Sequence, residues 1–167
     1  MIDPETVNQP KAGPPARPSR ADTVAEHRRV LDEGAHLFQQ LALRDVDHPG
    51  ADLAIELDFD SRLTNPRGAL QGGLVASLAD IVAGRAVVAS SPLDSAATAD
   101  LTIHYLQGIT HGPARAVARV VRRGRSLAVV NVDILDAGSG ELCAVATVAF
   151  AIQTNRRNAG TEERQEQ

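Results

Sequence analysis

The stretch Asn65 to Ser90, NPRGALQGGLVASLADIVAGRAVVAS, constrains this chain more than any other. It reads as a Gly-rich turn feeding a helix from about Gly72 to Ala89, closed by the Ser-Ser-Pro-Leu-Asp run at 90–94. The helix is apolar nearly all round, and such a helix has to be wrapped by other elements. At about 100° per residue, Leu74, Leu78, Ile81 and Val82 share one face. Asp80 points to roughly the opposite side, in a strip with Gly73, Ser77 and Gly84 where a backbone or a ligand can come close. Arg85 projects near the centre of the apolar face, and the expectation is that it snorkels out near the helix end.

The flanking segments alternate as the wrapping strands of a sheet would. Leu53, Ile55, Leu57 and Phe59 alternate with Ala54, Glu56, Asp58 and Asp60, a half-buried strand. Residues 96–106 place Ala97, Ala99, Leu101, Ile103 and Tyr105 on one side. In 114–123, Val117 and Val121 alternate with Arg115, Arg119 and Arg123. In 126–136, Ala128, Val130, Val132 and Ile134 oppose Asn131 and Asp133. Residues 142–152 are nearly continuously apolar, the mark of a strand buried on both faces. Ahead of these, Asp22 or Thr23 caps a cover helix running to about Leu43, with Val24, Leu31, Ala35, Leu37, Phe38 and Leu41 as a loose stripe. The class is α+β: an antiparallel sheet with its helices segregated to one face. The domain spans 23–153, between disordered tails at 1–22, where five prolines dilute the apolar side chains, and at 154–167.

Composition narrows the function classes. A chain of 167 residues predicts one domain. With 2% aromatic residues and no Trp, the core is built from Val, Leu, Ile and Ala. A net charge of −4 gives no reason to expect nucleic acid or an anionic membrane, while the basic cluster Arg115–Arg125 suits a small anionic ligand. The single cysteine, Cys143, excludes an internal disulfide. No apolar run reaches the ~18 residues of a spanning helix, and the N-terminus lacks the basic start and apolar core of a signal peptide, so a reducing, cytoplasmic setting is the expectation.

Asp80 admits two readings: a solvated polar face or an ion pair with Arg85, and a general base or nucleophile. Gln71-Gly72-Gly73 bears on the second. A helix start presents unpaired N–H groups and a positive dipole end, and glycines let a carbonyl approach those donors. The same pair also makes a simple tight turn.

The spaced set Asn65, Gly68, Gln71, Gly72, Gly73 and Asp80 resembles the signature of hotdog-fold acyl-CoA thioesterases, with the PaaI type (phenylacetate degradation-like) the nearest group. Thr98–Leu106 is similar to the strand that follows the helix in that family, and Arg122–Leu127 to its turn near coenzyme A. The resemblance runs from about Leu53 to Ile152. It implies an antiparallel sheet wrapped around a long central helix, and a homodimer joined edge to edge or a dimer of dimers, with sites at the subunit interface. It further implies that Asp80 attacks the thioester or activates water, that the Gly73 N–H polarises the carbonyl, and that Asn65 of the facing subunit orients water or the carbonyl. Thr98 would assist the water. Gly72, Gly124, Arg125, Ser126 and Arg123 or Arg122 would contact coenzyme A, and no metal or redox cofactor would take part. Gln71 departs from the family's usual His, and an amide does not titrate near neutral pH. That substitution favours an alternative, a non-catalytic acyl-CoA or acyl-carrier binding protein. A hotdog hydratase would need Asp-x4-His, and Asp80 plus five is Arg85.

Overall fold

The computed structural model describes Arg29, Leu37–Ser90 and Asp94–Thr154. The chain divides into two compact units, Met1–Gln40 and Leu41–Gln167. In the first, Arg29 is helical and Leu37–Gln40 forms one helical turn; most of the expected cover helix and both expected tails, apart from Thr154, lie outside the described residues. The helix does not run on to Leu43, because Leu43–Asp45 is a strand.

The second unit holds strands β1 (Leu43–Asp45), β2 (Leu53–Leu57), β3 (Asp94–Tyr105), β4 (Ala114–Arg123), β5 (Leu127–Asp136) and β6 (Glu141–Thr154), with one long helix, α1 (Gly72–Ala89). All strand pairs are antiparallel, in the order β1-β2-β4-β5-β6-β3. Helix α1 contacts five strands, β2 to β6. Five strands at ~4.8 Å spacing span about 19 Å, wider than a helix of ~10–12 Å, so the sheet curls around α1. This is the hotdog arrangement.

Helix α1 contains no proline, and its five alanines are strong helix formers. Its 18 residues and mean hydropathy of 1.6 would suffice to cross a bilayer by length and composition, contrary to the sequence expectation, but here it is a core helix lying on a sheet. Val75, Leu78, Ala79, Val82, Ala83, Ala86 and Val87 are buried, whereas Leu74 and Ile81 are only half-buried. The packed face is therefore centred on the alanines rather than on Leu74 and Ile81. The sheet meets them with Ala116, Ala118, Ala128, Ala144 and Ala146, and small side chains on both sides let helix and sheet approach closely. Arg85 leaves the apolar face altogether: its Nη2 donates to Asp45 Oδ2 at 2.8 Å on β1, and the guanidinium holds that carboxyl below its usual range.

Strand faces follow the alternation except where bulges reset it. In β5, Ala128, Val130, Val132 and Ile134 are buried as expected. In β4 the core face is Ala114, Ala116 and Ala118, while Arg115, Val117 and Arg119 share the outer face, so the valine does not oppose the arginines. In β6 the positions from Ala144 to Ile152 that face the helix are buried, but Thr147 is exposed and Val145, Ala149 and Ala151 are half-buried. One of its faces is thus incompletely covered within a single chain. Ala97 and Ala99 do not join Leu101 and Ile103. A bulge between Thr98 and Asp100 shifts the phase, pairing Thr98 with Phe150 and Leu101 with Val148 on the helix side. Glu56, expected on a solvated face, is 4% exposed. Arg44 reaches its Oε2 at 2.6 Å, and Arg115 reaches its Oε1 through Nε at 2.7 Å and Nη2 at 2.6 Å. Two guanidinium groups make the burial of this charge tolerable.

The last residue of β5 organises the loop between β3 and β4. Asp136 is 1% exposed and accepts four backbone N–H groups, from Thr110 and His111 at 2.9 Å, Gly112 at 2.8 Å and Gly138 at 3.1 Å. Burial alone would push this carboxyl up, and the four N–H donors outweigh it and hold it below its ordinary 3.8. A depressed folded-state value means that the contribution is present above about pH 3.8 and is lost as pH falls through the folded value. Asp136→Asn, which turns an N–H₂ toward N–H donors, is expected to lower the unfolding free energy by about 2–4 kcal/mol at pH 7. In urea titrations the gap between parent and variant should narrow below pH 4, and a gap of the same size at pH 7 and pH 3 would refute this role.

Candidate functional site

The turn before α1 is built by the side chain of Asn65. Its Oδ1 accepts the N–H of Arg67 at 2.9 Å and of Ala69 at 3.3 Å, and its backbone N–H donates to the Ala69 carbonyl at 2.7 Å. Gly68, at φ +77°, supplies the left-handed residue that closes this loop. Gln71 then occupies the N-cap position with φ −58° and ψ 129° and makes no side-chain cap. Its Nε2 donates instead to the Thr64 carbonyl at 3.3 Å, and its backbone N–H to Leu63 at 2.9 Å. The Gln71 amide thus ties the turn to the 3₁₀ segment Ser61–Leu63 and its flank, a task that needs a donor and no titration.

Gly72 and Gly73 open the helix, in the first turn where N–H groups have no intrahelical acceptor. A Cβ built on Gly73 meets nothing within 4 Å, and Gly73 itself is exposed. Both glycines line a cleft of about 500 Å³ with Asn65, Arg67, Leu70, Val75, Tyr105, Gln107, Ile109 and Cys143 among its walls. The walls beyond the glycines are largely apolar. Burial pushes the Cys143 thiol up, so it is part of the wall rather than a nucleophile.

Asp80 stands two turns further along α1 and is half-buried. It makes no ion pair with Arg85. Its Oδ1 accepts the Thr98 hydroxyl at 2.8 Å. The bulge in β3 makes this contact, since uninterrupted alternation would put Thr98 opposite Leu101. Seven residues separate Gly73 from Asp80, a rise of about 10 Å. Asp80 is accordingly absent from the cleft around the glycines.

A third group lies at the other end of the helix. The bulge between Val120 and Arg122 turns Arg123 inward, where its Nη1 donates to the Val87 carbonyl at 2.7 Å in the last turn of α1. A cation suits that end of the dipole. Gly124 begins the tight connection to β5, its N–H donating to Leu127 at 2.8 Å, and the Ser126 carbonyl accepts Ile152 at 3.0 Å. Arg122 and Arg125 are exposed. One chain therefore brings Asn65, Gln71, Gly72 and Gly73 together, pairs Asp80 with Thr98, and sets the Arg123–Ser126 connection apart from both. The sequence places Tyr105 only on a strand face and does not single out Gln107 or Asp136, since no periodicity marks a residue that acts from a strand end or a loop. Among the described residues no group of three or more His, Cys, Asp and Glu side chains is placed to hold a metal ion.

A sheet curled around one helix, with two glycines at the helix start and a hydroxyl-bound carboxylate along its length, is a hotdog arrangement. Residues 67–143 match the family model of the thioesterase superfamily. It is 34% identical over 98 residues to the candidate esterase SSO1253 of Saccharolobus solfataricus, covering 59% of this chain and 65% of that protein. It is 28% identical over 93 residues to acyl-coenzyme A thioesterase 13 of Mus musculus, covering 55% of this chain and 66% of that one. The chain thus spans just under two thirds of these relatives. Among solved structures, thioesterase HI1161 of Haemophilus influenzae matches the fold with a TM-score of 0.64 at 20% identity, over 71% of this chain and 83% of that one. BH2602 of Bacillus halodurans, solved with CoA, matches with a TM-score of 0.63 at 25% identity, over 80% and 87%.

If Asn65 serves first as the acceptor that shapes the turn, Asn65→Ala lowers the unfolding free energy by about 1–2 kcal/mol, whereas Asn65→Asp, which keeps an acceptor oxygen, retains stability. Equal losses in urea unfolding for the two variants would contradict that assignment.

Proposed function

We propose that the chain hydrolyses acyl-coenzyme A thioesters to a free acid and coenzyme A, at a site completed by a second copy of the chain. The observation that carries this reading is the pairing of Asp80 with Thr98 about 10 Å along α1 from exposed Gly73 at the helix start. A carbonyl bound to that N–H at hydrogen-bond distance cannot have its carbon within reach of Asp80 of the same helix. Two helices side by side in opposite directions remove the conflict: the N-terminal turn of one meets the middle of the other. Half-buried Leu74 and Ile81 and exposed Val88 leave α1 with apolar surface for such a neighbour.

The thioester carbonyl then accepts the Gly73 N–H, which also stabilises the oxyanion that forms when the carbon is attacked. Asp80 of the facing copy, oriented by Thr98, supplies the attack directly or through one water. From Asp80 to the end of α1 is about 14 Å of rise. The connection Arg123–Ser126, with Arg122 and Arg125, lies at that end, where an extended pantetheine arm would place its phosphates. The acyl group enters the apolar cleft around Leu70, Val75 and Ile109. No step calls for a metal or a redox cofactor.

Asp80→Asn is expected to abolish release of free thiol from acyl-CoA while leaving the oligomer intact. Gly73→Leu fills the approach to the N–H and should lower kcat/KM by about 10²-fold or more. Because a Cβ there meets open space and glycine is a poor helix former, its Tm should not fall. Full turnover in Asp80→Asn would sink the mechanism. Stabilisation of the parent by acyl-CoA with no thiol release across short, long and aromatic acyl groups would favour a binding protein instead.

A further inference from the structure

Tyr105 ends β3 and is 52% exposed, yet both parts of its side chain are committed to one peptide. Its hydroxyl donates to the Gly72 carbonyl oxygen at 2.8 Å. Its ring lies over Gly72, where a built Cβ would sit 3.6 Å from Cε1 and Cζ. The Gly72 carbonyl and the Gly73 N–H are the two ends of a single planar amide. A proton donated to the oxygen draws electron density away from the nitrogen, so the N–H becomes a stronger donor and the plane is fixed in orientation.

We infer that Tyr105 is a positioning residue for thioester hydrolysis, which acts through the Gly72–Gly73 peptide to aim and polarise the N–H that receives the thioester carbonyl. The inference rests on the reading of the site given above. The ring and the hydroxyl have separable tasks. The ring is a wall of the cleft, beside Leu106 and Gln107, and contributes to binding. The hydroxyl belongs to the electrostatics of the reaction. Loss of a whole oxyanion donor lowers kcat by ~10²–10³. Hydrogen bonds in series strengthen one another by ~10–30%. That fraction of two to three decades amounts to about a two- to eightfold change in kcat.

The test is Tyr105→Phe, which keeps the wall and removes only the hydroxyl. It should lower kcat about two- to eightfold with KM changed by less than about twofold, whereas Tyr105→Ala, which also removes the wall, should raise KM. The second readout uses an acyl-CoA carrying ¹³C at the thioester carbonyl, bound to the Asp80→Asn protein and followed by infrared difference spectroscopy. The carbonyl stretch should lie below that of the free thioester, and adding Tyr105→Phe should move it back toward the free value. A variant with unchanged kcat and an unmoved stretch overturns the inference and leaves Tyr105 as wall only. A fall in kcat without a spectral shift overturns it as well, because loosening of the helix start would suffice. If the parent hydrolyses acyl-CoA, Asp80→Asn does not and Tyr105→Phe behaves as the parent, the positioning role alone is lost. A parent that neither turns over nor binds any of the acyl-CoAs defeats the reading of the site and this inference together.

Discussion

Everything in the second unit depends on covering one apolar helix at close range. Burial of apolar area is worth about 25 cal/mol per Å², and α1 offers little else to the sheet. The side chains that meet are small: Ala79, Ala83 and Ala86 on the helix, and Ala116, Ala118, Ala128, Ala144 and Ala146 on the strands. Small residues on both sides bring the backbones near one another, and Gly84, whose Cβ would come within 3.4 Å of the Phe150 ring, marks a place where the approach is limited by an aromatic edge. Five strands can share one helix only if the sheet curls, and that curl fixes which strand ends stand near which end of α1.

Two bulges in this curled sheet decide where chemistry-bearing side chains point. The one in β3 puts Thr98 on the helix side, opposite Phe150, and so onto Asp80. The one in β4 puts Arg123 under the last turn of α1. Each inserts one residue and reverses the facing of the residues beyond it in the strand. The loop that carries Ile109 into the cleft wall is fastened from below by Asp136, whose four N–H partners come from both neighbouring loops. The donor groups at the helix start are held by Asn65 and Gln71 in the turn and by Tyr105 across the cleft.

Much of this was legible in the residues. Helix α1 runs over the span predicted for it, and β4 begins and ends where the alternation does. The features that stayed hidden have a physical cause in each case. Three-residue β1 is too short to show a period, and its residues read as the end of a helix. The burial of Glu56 depends on Arg44 and Arg115, which are 12 and 59 residues away in sequence. A bulge at Thr98–Asp100 leaves no mark in a run where Ala97 and Ala99 keep the alternation going. The large side chains of Leu74 and Ile81 suggest a different face from the one that packs, because close packing favours the alanines. The motif residues at 65–73 stand out as a set in the sequence, but their division of labour, Asn65 and Gln71 shaping the turn and the glycines opening the helix, depends on hydrogen bonds that no spacing encodes.

The central claim is that donor and carboxylate come from different copies of the chain. Mixing Asp80→Asn protein with Gly73→Leu protein under conditions that exchange subunits tests it directly. Each variant alone is inactive, but half of the randomly paired dimers would hold one copy of each, with one of their two sites intact. Thiol release from acyl-CoA should then recover to about a quarter of the parent level. No recovery, with subunit exchange demonstrated independently, would place both groups in a single chain and contradict the account.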